Sequence, residues 1–459
     1  MARRSLPCAL TIAGSDSGGG AGVEADLKTF AALQVYGTCV ITAVTAQNTQ
    51  GVYDIHSIPA EIVRKQLEAV LSDIPIKSAK TGMLYSKEVV ETVANLMGKT
   101  KIPLVVDPIF KAGSGALLMS KDAQDALIKT LLPKALIVTP NLPEAEEIAG
   151  IKIKSIDDMK KAGEIIFKLG PKAVVVKGGH LAGETVTDLF YSAGTYEAYT
   201  KRRVETKPHG AGCTFSAAIA AFLARDLTVK ESVEAAEKFM EPCMIYSLDI
   251  GKGGRPVHQM AKLYNEAERL RTIEDVRAAV EKIEASPELL SYIAGVGTQV
   301  AMALPYASSK EHVAAVKGRI VKSSGRPKAT GPVEFGVSDH MASIILTAMK
   351  YDPTVRASLN LHYVPELINA FRGLGYMASS FSRQREPKEI KMIEGGTLSW
   401  GTKYVIEKLG KVPDAIFDTG EPGKEPMIRV LGKSATEAVK KALAAVRDLN
   451  HPINKRIHL

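Results

Sequence analysis

The chain has 459 residues, 46% apolar and 24% charged, with glycine and proline scattered along it and a net charge of +9. That length predicts two to four domains of roughly 100–200 residues each, and the apolar fraction excludes disorder as the main state. Membrane-spanning helices are excluded as well, because the longest apolar runs (Ala217–Ala224, Ala135–Val138) fall far short of the roughly 20 residues that cross a bilayer.

The apolar run Leu6–Ala13 is interrupted by Pro7 and Thr11, so no signal peptide is expected and a cytoplasmic enzyme is the default. Cys8, Cys39, Cys213 and Cys243 form no CxxC pair and no disulfide framework. The charge is uneven. Residues 1–260 hold 30 basic and 28 acidic groups, whereas residues 301–459 hold 24 and 15. The densest basic stretch, Lys310–Lys328, sets Lys310, Lys317, Arg319, Lys322, Arg326 and Lys328 against Glu311 alone. Such a patch suits phosphorylated small molecules; no nucleic-acid-binding motif accompanies it.

In chain order, Ala9–Ile12, Gly37–Val44, Leu104–Val106, Ala135–Thr139 and Ala173–Val176 are short, apolar and rich in β-branched residues, as buried parallel strands are. Pro59–Ser72, Lys87–Met97 and Lys121–Leu131 carry helical periodicity between them. This alternation predicts an α/β fold with three layers and ligands at the strand C-termini. Gly251–Pro256 closes the pattern with a basic turn, Met260–Glu284 reads as a charged helix, and a new α/β pattern starts at Ile293. The expected organisation is residues 1–260, a helical connector 261–284, and a second, smaller α/β domain over 285–459.

Two glycine-rich loops mark the first domain. Ala13–Gly22 joins a strand to a helix starting near Val23, and lacks the Gly-Lys-Ser/Thr ending of a Walker A loop. His209-Gly-Ala-Gly-Cys-Thr214 precedes an Ala-rich helix over Phe215–Arg225, where unpaired amides and a positive dipole end suit a phosphoryl group. The same dipole is expected to lower the pKa of Cys213 and let it act as a base or hydrogen-bond acceptor, with a buried structural thiol as the equal alternative on position alone. Asn141 and Glu144 follow one strand, Asp107 a second and Lys177 a third, so they are expected to share one cleft. Asp107 and Glu144 are the candidate carboxylates for Mg²⁺ beside ATP phosphates.

The segments Leu10–Gly22, Ala25–Thr29, Ala46–Thr49, Gly82–Leu84, Asn141–Ala145, Val176–His180, His209–Cys213 and Gly251–His258 together resemble the hydroxymethylpyrimidine/phosphomethylpyrimidine kinases of thiamine biosynthesis, members of the ribokinase-like superfamily. The resemblance covers about residues 5–258. It implies a ribokinase-like α/β/α domain that phosphorylates a pyrimidine alcohol, then its monophosphate, with ATP. It places Gln47 on the aminopyrimidine edge, with Asp26, Gly14 and Met83 near the ring. Gly210, Gly212 and Cys213 form the implied anion hole, and Asn141, Glu144 and Lys177 serve the nucleotide. Ala211 departs from the pattern, where threonine is expected. Pyridoxal kinase is the nearest rival in the superfamily.

In the second domain His340 precedes the apolar helix Met341–Met349, and Gly395–Trp400 reads as a hydroxyl-rich loop able to wrap a phosphate. Ala303–Ala307, Val316–Val321, Phe335–His340 and Ala415–Gly420 resemble the archaeal-type thiamine-phosphate synthase domain found fused to pyrimidine kinases. That resemblance implies coupling of the pyrimidine diphosphate to a thiazole phosphate, with Arg319 and His340 as the residues that matter. The expected partners are these small molecules and further copies of the chain, with no nucleic acid and no membrane. The alternative is a kinase fused to a domain that senses thiamine phosphate without turnover.

Overall fold

The computed structural model describes residues 6–113, 115–204, 207–391 and 396–450. The chain divides into two compact units, Met1–Lys262 and Leu263–Leu459.

In the first unit, β1 (Cys8–Ala13), α1 (Gly22–Ala32) and β2 (Tyr36–Ile41) are followed by a hairpin of β3 (Ala43–Asn48) and β4 (Gly51–Ser57). Then come α2 (Ala60–Asp73), β5 (Ile76–Thr81), α3 (Lys87–Met97), β6 (Leu104–Val106), α4 (Lys121–Ala126), β7 (Ile137–Val138), α5 (Leu142–Ala149), α6 (Ile156–Phe167) and β8 (Ala173–Val176). The unit ends with β9 (Thr185–Ser192), β10 (Thr195–Arg202), β11 (Pro208–His209), α7 (Ala211–Ala224), α8 (Val229–Ile245) and β12 (Arg255–Pro256). The main sheet has the order β10-β9-β8-β7-β6-β5-β1-β2, parallel except for β9, which runs antiparallel to both β8 and β10.

Successive strand residues point to opposite faces, so this sheet needs two apolar covers. Leu10, Ile12, Val106, Val138 and Val174 meet α2, α3, α5 and α6 on one face. Ala9, Val105, Ile137 and Val175 meet α1, α7 and α8 on the other. These are the three layers the alternation predicts. Two boundaries move. The strand expected over Gly37–Val44 breaks at Thr42, whose hydroxyl donates to the Met83 carbonyl at 2.6 Å, and the chain then leaves the sheet as the β3–β4 hairpin. Helix α7 begins at Ala211, so Gly212 and Cys213 lie inside its first turn rather than before it.

The second unit holds most of α9 (Ala261–Glu284), whose Val276, Ala279, Val280 and Ile283 are buried in that unit's core. After it come β13 (Val300–Ala303), β14 (Val313–Val316), the hairpin β15 (Ile320–Ser323) and β16 (Arg326–Ala329), and β17 (Val333–Phe335). Next are α10 (Asp339–Met349), β18 (Ala357–His362), α11 (Pro365–Gly373), β19 (Ala378–Ser380), the short α12 (Lys388–Lys391), α13 (Gly396–Leu409), β20 (Ala415–Asp418), β21 (Met427–Gly432) and α14 (Ala435–Asn450). The sheet order is β17-β14-β13-β18-β21-β20-β19, antiparallel except for the last pair. Helices α9, α11 and α14 cover one face, and α10 and α13 the other. Gly396–Trp400 is the start of α13, not a loop, and Gly395 lies outside the described residues. Among the described residues no helix is long and apolar enough to cross a membrane.

Candidate active sites

The two glycine loops of the first unit interlock. Gly210 has φ +79°, and a Cβ added there would stand 1.7 Å from the Gly20 carbonyl oxygen. Only glycine takes that conformation at no cost, and only glycine leaves room for the neighbouring backbone. The contact sets the N-termini of α1 and α7 side by side, each with its first amides unpaired within the helix. The Gly22 amide at the start of α1 points at the Cys213 sulfur in the first turn of α7.

Cys213 is buried, and burial pushes its thiol up to about 11, although Lys80 and the Gly22 amide pull the other way. This corrects the expectation that the helix dipole lowers it. Desolvation outweighs the pull of Lys80 and the Gly22 amide, which favours the protonated thiol.

Lys80, at the end of β5, is fully buried and was not singled out from sequence. Its ammonium donates to both oxygens of Asp26 at 2.9 and 3.0 Å, and Thr11 Oγ1 donates to Asp26 at 2.6 Å. Burial works against that charge, but Asp26 above all, with Asp107, outweighs it and holds Lys80 above the usual lysine range. Asp26 is 0% exposed, so its carboxylate is committed to Lys80 beneath the site.

A second polar cluster lies at the C-termini of β6, β7 and β8. Lys177 Nζ donates to Asp107 Oδ1 at 3.0 Å, Thr139 Oγ1 donates to the same oxygen at 3.1 Å, and Ser216 Oγ donates to Oδ2 at 3.3 Å. A Cβ on Gly212 would stand 3.3 Å from Lys177 Nζ, so the α7 N-terminus, Lys177 and Asp107 converge. Asn141 and Glu144 form a reciprocal capping box at the start of α5: Oδ1 of Asn141 accepts from the Glu144 amide, and Glu144 Oε2 accepts from the Asn141 amide. Burial pushes the Glu144 carboxyl up to about 8, Lys177 opposes this, and the Asp107 charge adds to it.

Two carboxylates therefore share one lysine. A divalent cation beside them would relieve that crowding, although among the described residues no group of three His, Cys, Asp or Glu side chains could cage one. Asp107 and Glu144 thus fit Mg²⁺ that arrives on a nucleotide and keeps its waters.

On the other side of Cys213, the Gly14 amide donates to the Met83 carbonyl at 3.1 Å, and Met83 packs with Ala43 and Leu118 in a small apolar cluster. Gln47, half-buried on β3, has its Nε2 3.4 Å from His209 Nε2, which in turn lies 2.8 Å from Asp16 Oδ2. Burial alone would raise the Asp16 carboxyl; the His209 bond and the amides of Gly18 and Ala21 hold it below the usual value. Asp16 and His209 lie in both glycine motifs, yet sequence gave no reason to pair them across 193 positions.

In the second unit Arg319 and His340 do not share a sheet edge. β14 ends, and Arg319 follows, where β13 begins; Thr298 and Ile320 exchange backbone hydrogen bonds there. His340 follows β17, which runs antiparallel to β14 and so ends at the opposite edge. It is exposed in the first turn of α10, next to Asp339, whose carboxylate meets Lys310 at 2.9 Å.

Comparison with known proteins agrees with this division. Residues 16–258 match the phosphomethylpyrimidine kinase family, and residues 275–444 match thiamine-phosphate synthase ThiN. The hydroxymethylpyrimidine/phosphomethylpyrimidine kinase of Rhizobium meliloti is 47% identical over 262 residues, covering 56% of this chain and 98% of that protein. The bifunctional thiamine biosynthesis protein ThiDN of Methanocaldococcus jannaschii is 32% identical over 435 residues, covering 94% of this chain and 96% of that one. Among solved structures, a pyridoxal kinase from Staphylococcus aureus in complex with AMP-PCP and pyridoxal superposes with a TM-score of 0.53 at 38% identity, over 56% of this chain and 95% of that one. The first unit therefore has the ribokinase-like fold, and the chain belongs to the phosphomethylpyrimidine kinase family, in the two-part arrangement that joins this kinase to thiamine-phosphate synthase in thiamine biosynthesis.

Proposed function

We propose that residues 1–260 use ATP to phosphorylate 4-amino-5-hydroxymethyl-2-methylpyrimidine and then its monophosphate, and that residues 285–459 couple the resulting diphosphate to a thiazole phosphate. The observation that carries the kinase half is the meeting of two helix N-termini with Lys80 and Lys177. Amides and dipole ends of both helices and the Lys177 ammonium surround the point where a phosphoryl group would pass, with the Lys80 ammonium buried beneath it. Gln47 offers one donor and one acceptor to the aminopyrimidine edge, with Gly14 and Met83 along the ring. Asp26 acts through Lys80. Gly210, Gly212 and Lys177 hold the phosphates, while Asn141 shapes the nucleotide side. Mg²⁺ held through water by Asp107 and Glu144 would neutralise phosphate charge.

Cys213 acts as a neutral donor in the anion hole. Removal of a general base costs about 10²–10⁴-fold, and would fall on the alcohol step alone, because a phosphate nucleophile is already ionised. A thiol donor predicts instead that Cys213→Ala lowers both phosphorylations by a similar factor. Separate assays on the alcohol and the monophosphate check this, and a loss confined to the alcohol would restore the base role. Gln47→Ala is expected to weaken pyrimidine binding by roughly 1–3 kcal/mol. The pyrimidine KM rises while the KM for ATP stays unchanged.

In the coupling step the methylene carbon–oxygen bond breaks, pyrophosphate leaves with the electron pair, and the thiazole nitrogen forms the new bond to that carbon. Arg319 would hold the departing anion. His340 is proposed to assist turnover. Because it sits on the opposite edge, we propose that a second copy of the chain brings it to Arg319. The direct test is incubation of the full chain with the pyrimidine alcohol, ATP, Mg²⁺ and thiazole phosphate, with products separated by mass. Thiamine phosphate supports both halves; an end point at the diphosphate, with thiamine phosphate bound but not made, supports the sensor reading.

A further inference from the structure

The sheet face under α10 and α13 changes character at one edge. Ser358, Asn360 and His362 of β18, Met427, Arg429 and Leu431 of β21, and Ile416 and Asp418 of β20 share that face by register. Leu431 and Ile416 belong to the apolar core, whereas Asn360, Arg429, Asp418 and His362 form a polar row toward the edge where Arg319 lies.

Two arginines in that region share one carboxylate. Asp418, 1% exposed, accepts from Arg383 Nε at 2.8 Å and Nη2 at 3.3 Å, from Arg429 Nη1 at 2.7 Å, and from the Gly420 amide at 2.9 Å. Arg383 is 9% exposed and Arg429 4%. Among the described residues this cluster buries two positive charges against one negative charge, and an unbalanced charge in a low-dielectric interior is costly unless an anion completes it. The row is continuous with the Arg319 region: Asn360 Nδ2 donates to the Gly297 carbonyl at 3.4 Å, and a Cβ on Gly297 would stand 2.7 Å from Arg319 Cβ.

We infer that Arg383, backed by Arg429 and oriented by Asp418, is the subsite for the phosphate of the thiazole substrate, so that one sheet edge holds both phosphorylated substrates. This rests on the coupling reading above. The more highly charged diphosphate is assigned to Arg319, beside the exposed Lys322, Arg326 and Lys328 of the β15–β16 hairpin. The buried pair takes the smaller phosphate, whose oxygens match a guanidinium fork.

The full-length protein carries its own reporter. Trp400 is the only tryptophan in the chain; it packs edge-on against Phe381 at 6.0 Å, and the Phe381 ring lies 5.6 Å from the Arg429 guanidinium carbon. Arg383→Gln is expected to raise the KM for thiazole phosphate about tenfold or more, as loss of a charged hydrogen bond does. The KM for the pyrimidine diphosphate should stay within about twofold, since that substrate keeps Arg319. Arg383→Lys should recover part of the loss, and an unshifted urea midpoint of Trp400 emission would show that the unit remains folded. A rise confined to the diphosphate KM, or no change in either, overturns the assignment.

If wild type makes no thiamine phosphate, the coupling reading fails and the subsite is still decided by titrating Trp400 emission with inorganic phosphate. A response in wild type that disappears in Arg383→Gln keeps the anion site, and no response in wild type removes it.

Discussion

Gly210→Ala is expected to abolish both phosphorylations while leaving synthesis of thiamine phosphate from supplied diphosphate intact. A methyl group at φ +79° is strained on its own, and this one would overlap the Gly20 carbonyl oxygen at 1.7 Å. Relief requires the two glycine loops to part. That pulls α7 and its Gly212 amide away from Lys177, and His209 away from Asp16. Misplacement of reacting groups by about 1 Å costs on the order of 100-fold, so a loss of at least that size in kcat is expected for each kinase step. Steady-state assays of both kinase reactions and of the coupling reaction on the same preparation check it. Retained kinase activity would mean that the loops do not need to interlock.

Arg319→Ala is expected to produce the mirror image. Loss of a donor that stabilises developing charge typically costs about 100-fold or more in kcat. Here it falls on the coupling reaction, with both kinase rates unchanged. His340→Ala should impair turnover too. Since the two residues occupy opposite sheet edges, mixing the two inactive variants should restore part of the activity by placing one intact Arg319 beside one intact His340 from another copy. Full activity of His340→Ala alone would remove that residue from the reaction.

Much of the first unit is legible in the sequence because its determinants are local. Val174–Val176 and Leu104–Val106 are apolar on both sides, which only a strand covered on both faces explains, and they appear where expected. Strand β5 was not legible. Its sequence Ile-Lys-Ser-Ala-Lys-Thr looks like a polar surface segment until Lys80 is seen to pair with Asp26, 54 residues away. The β3–β4 hairpin was hidden because Gly37–Val44 reads as one continuous apolar run, and only the bond from Thr42 to Met83 shows where the sheet is left. At Cys213 the sequence offers both a helix start and a burial-prone thiol, and only the structure shows that burial dominates and raises the pKa. In the second unit the separation of Arg319 from His340 follows from strand direction, which a list of motifs does not contain.

The bond between His209 and Asp16 also fixes when the kinase site can exist. The loop around Asp16 is made early in synthesis, but its partner follows 193 residues later, and β12, which pairs with the strand containing His209, follows later still. At translation rates of about 5–20 residues per second, the gap is roughly 10–40 s. During that time the first loop has no surface to close against, and contacts of such long sequence separation form slowly even when both partners are present. A ribosome-bound chain stalled before His209 also lacks α7 and α8, which cover one face of the sheet, so it should have no capacity to bind the pyrimidine.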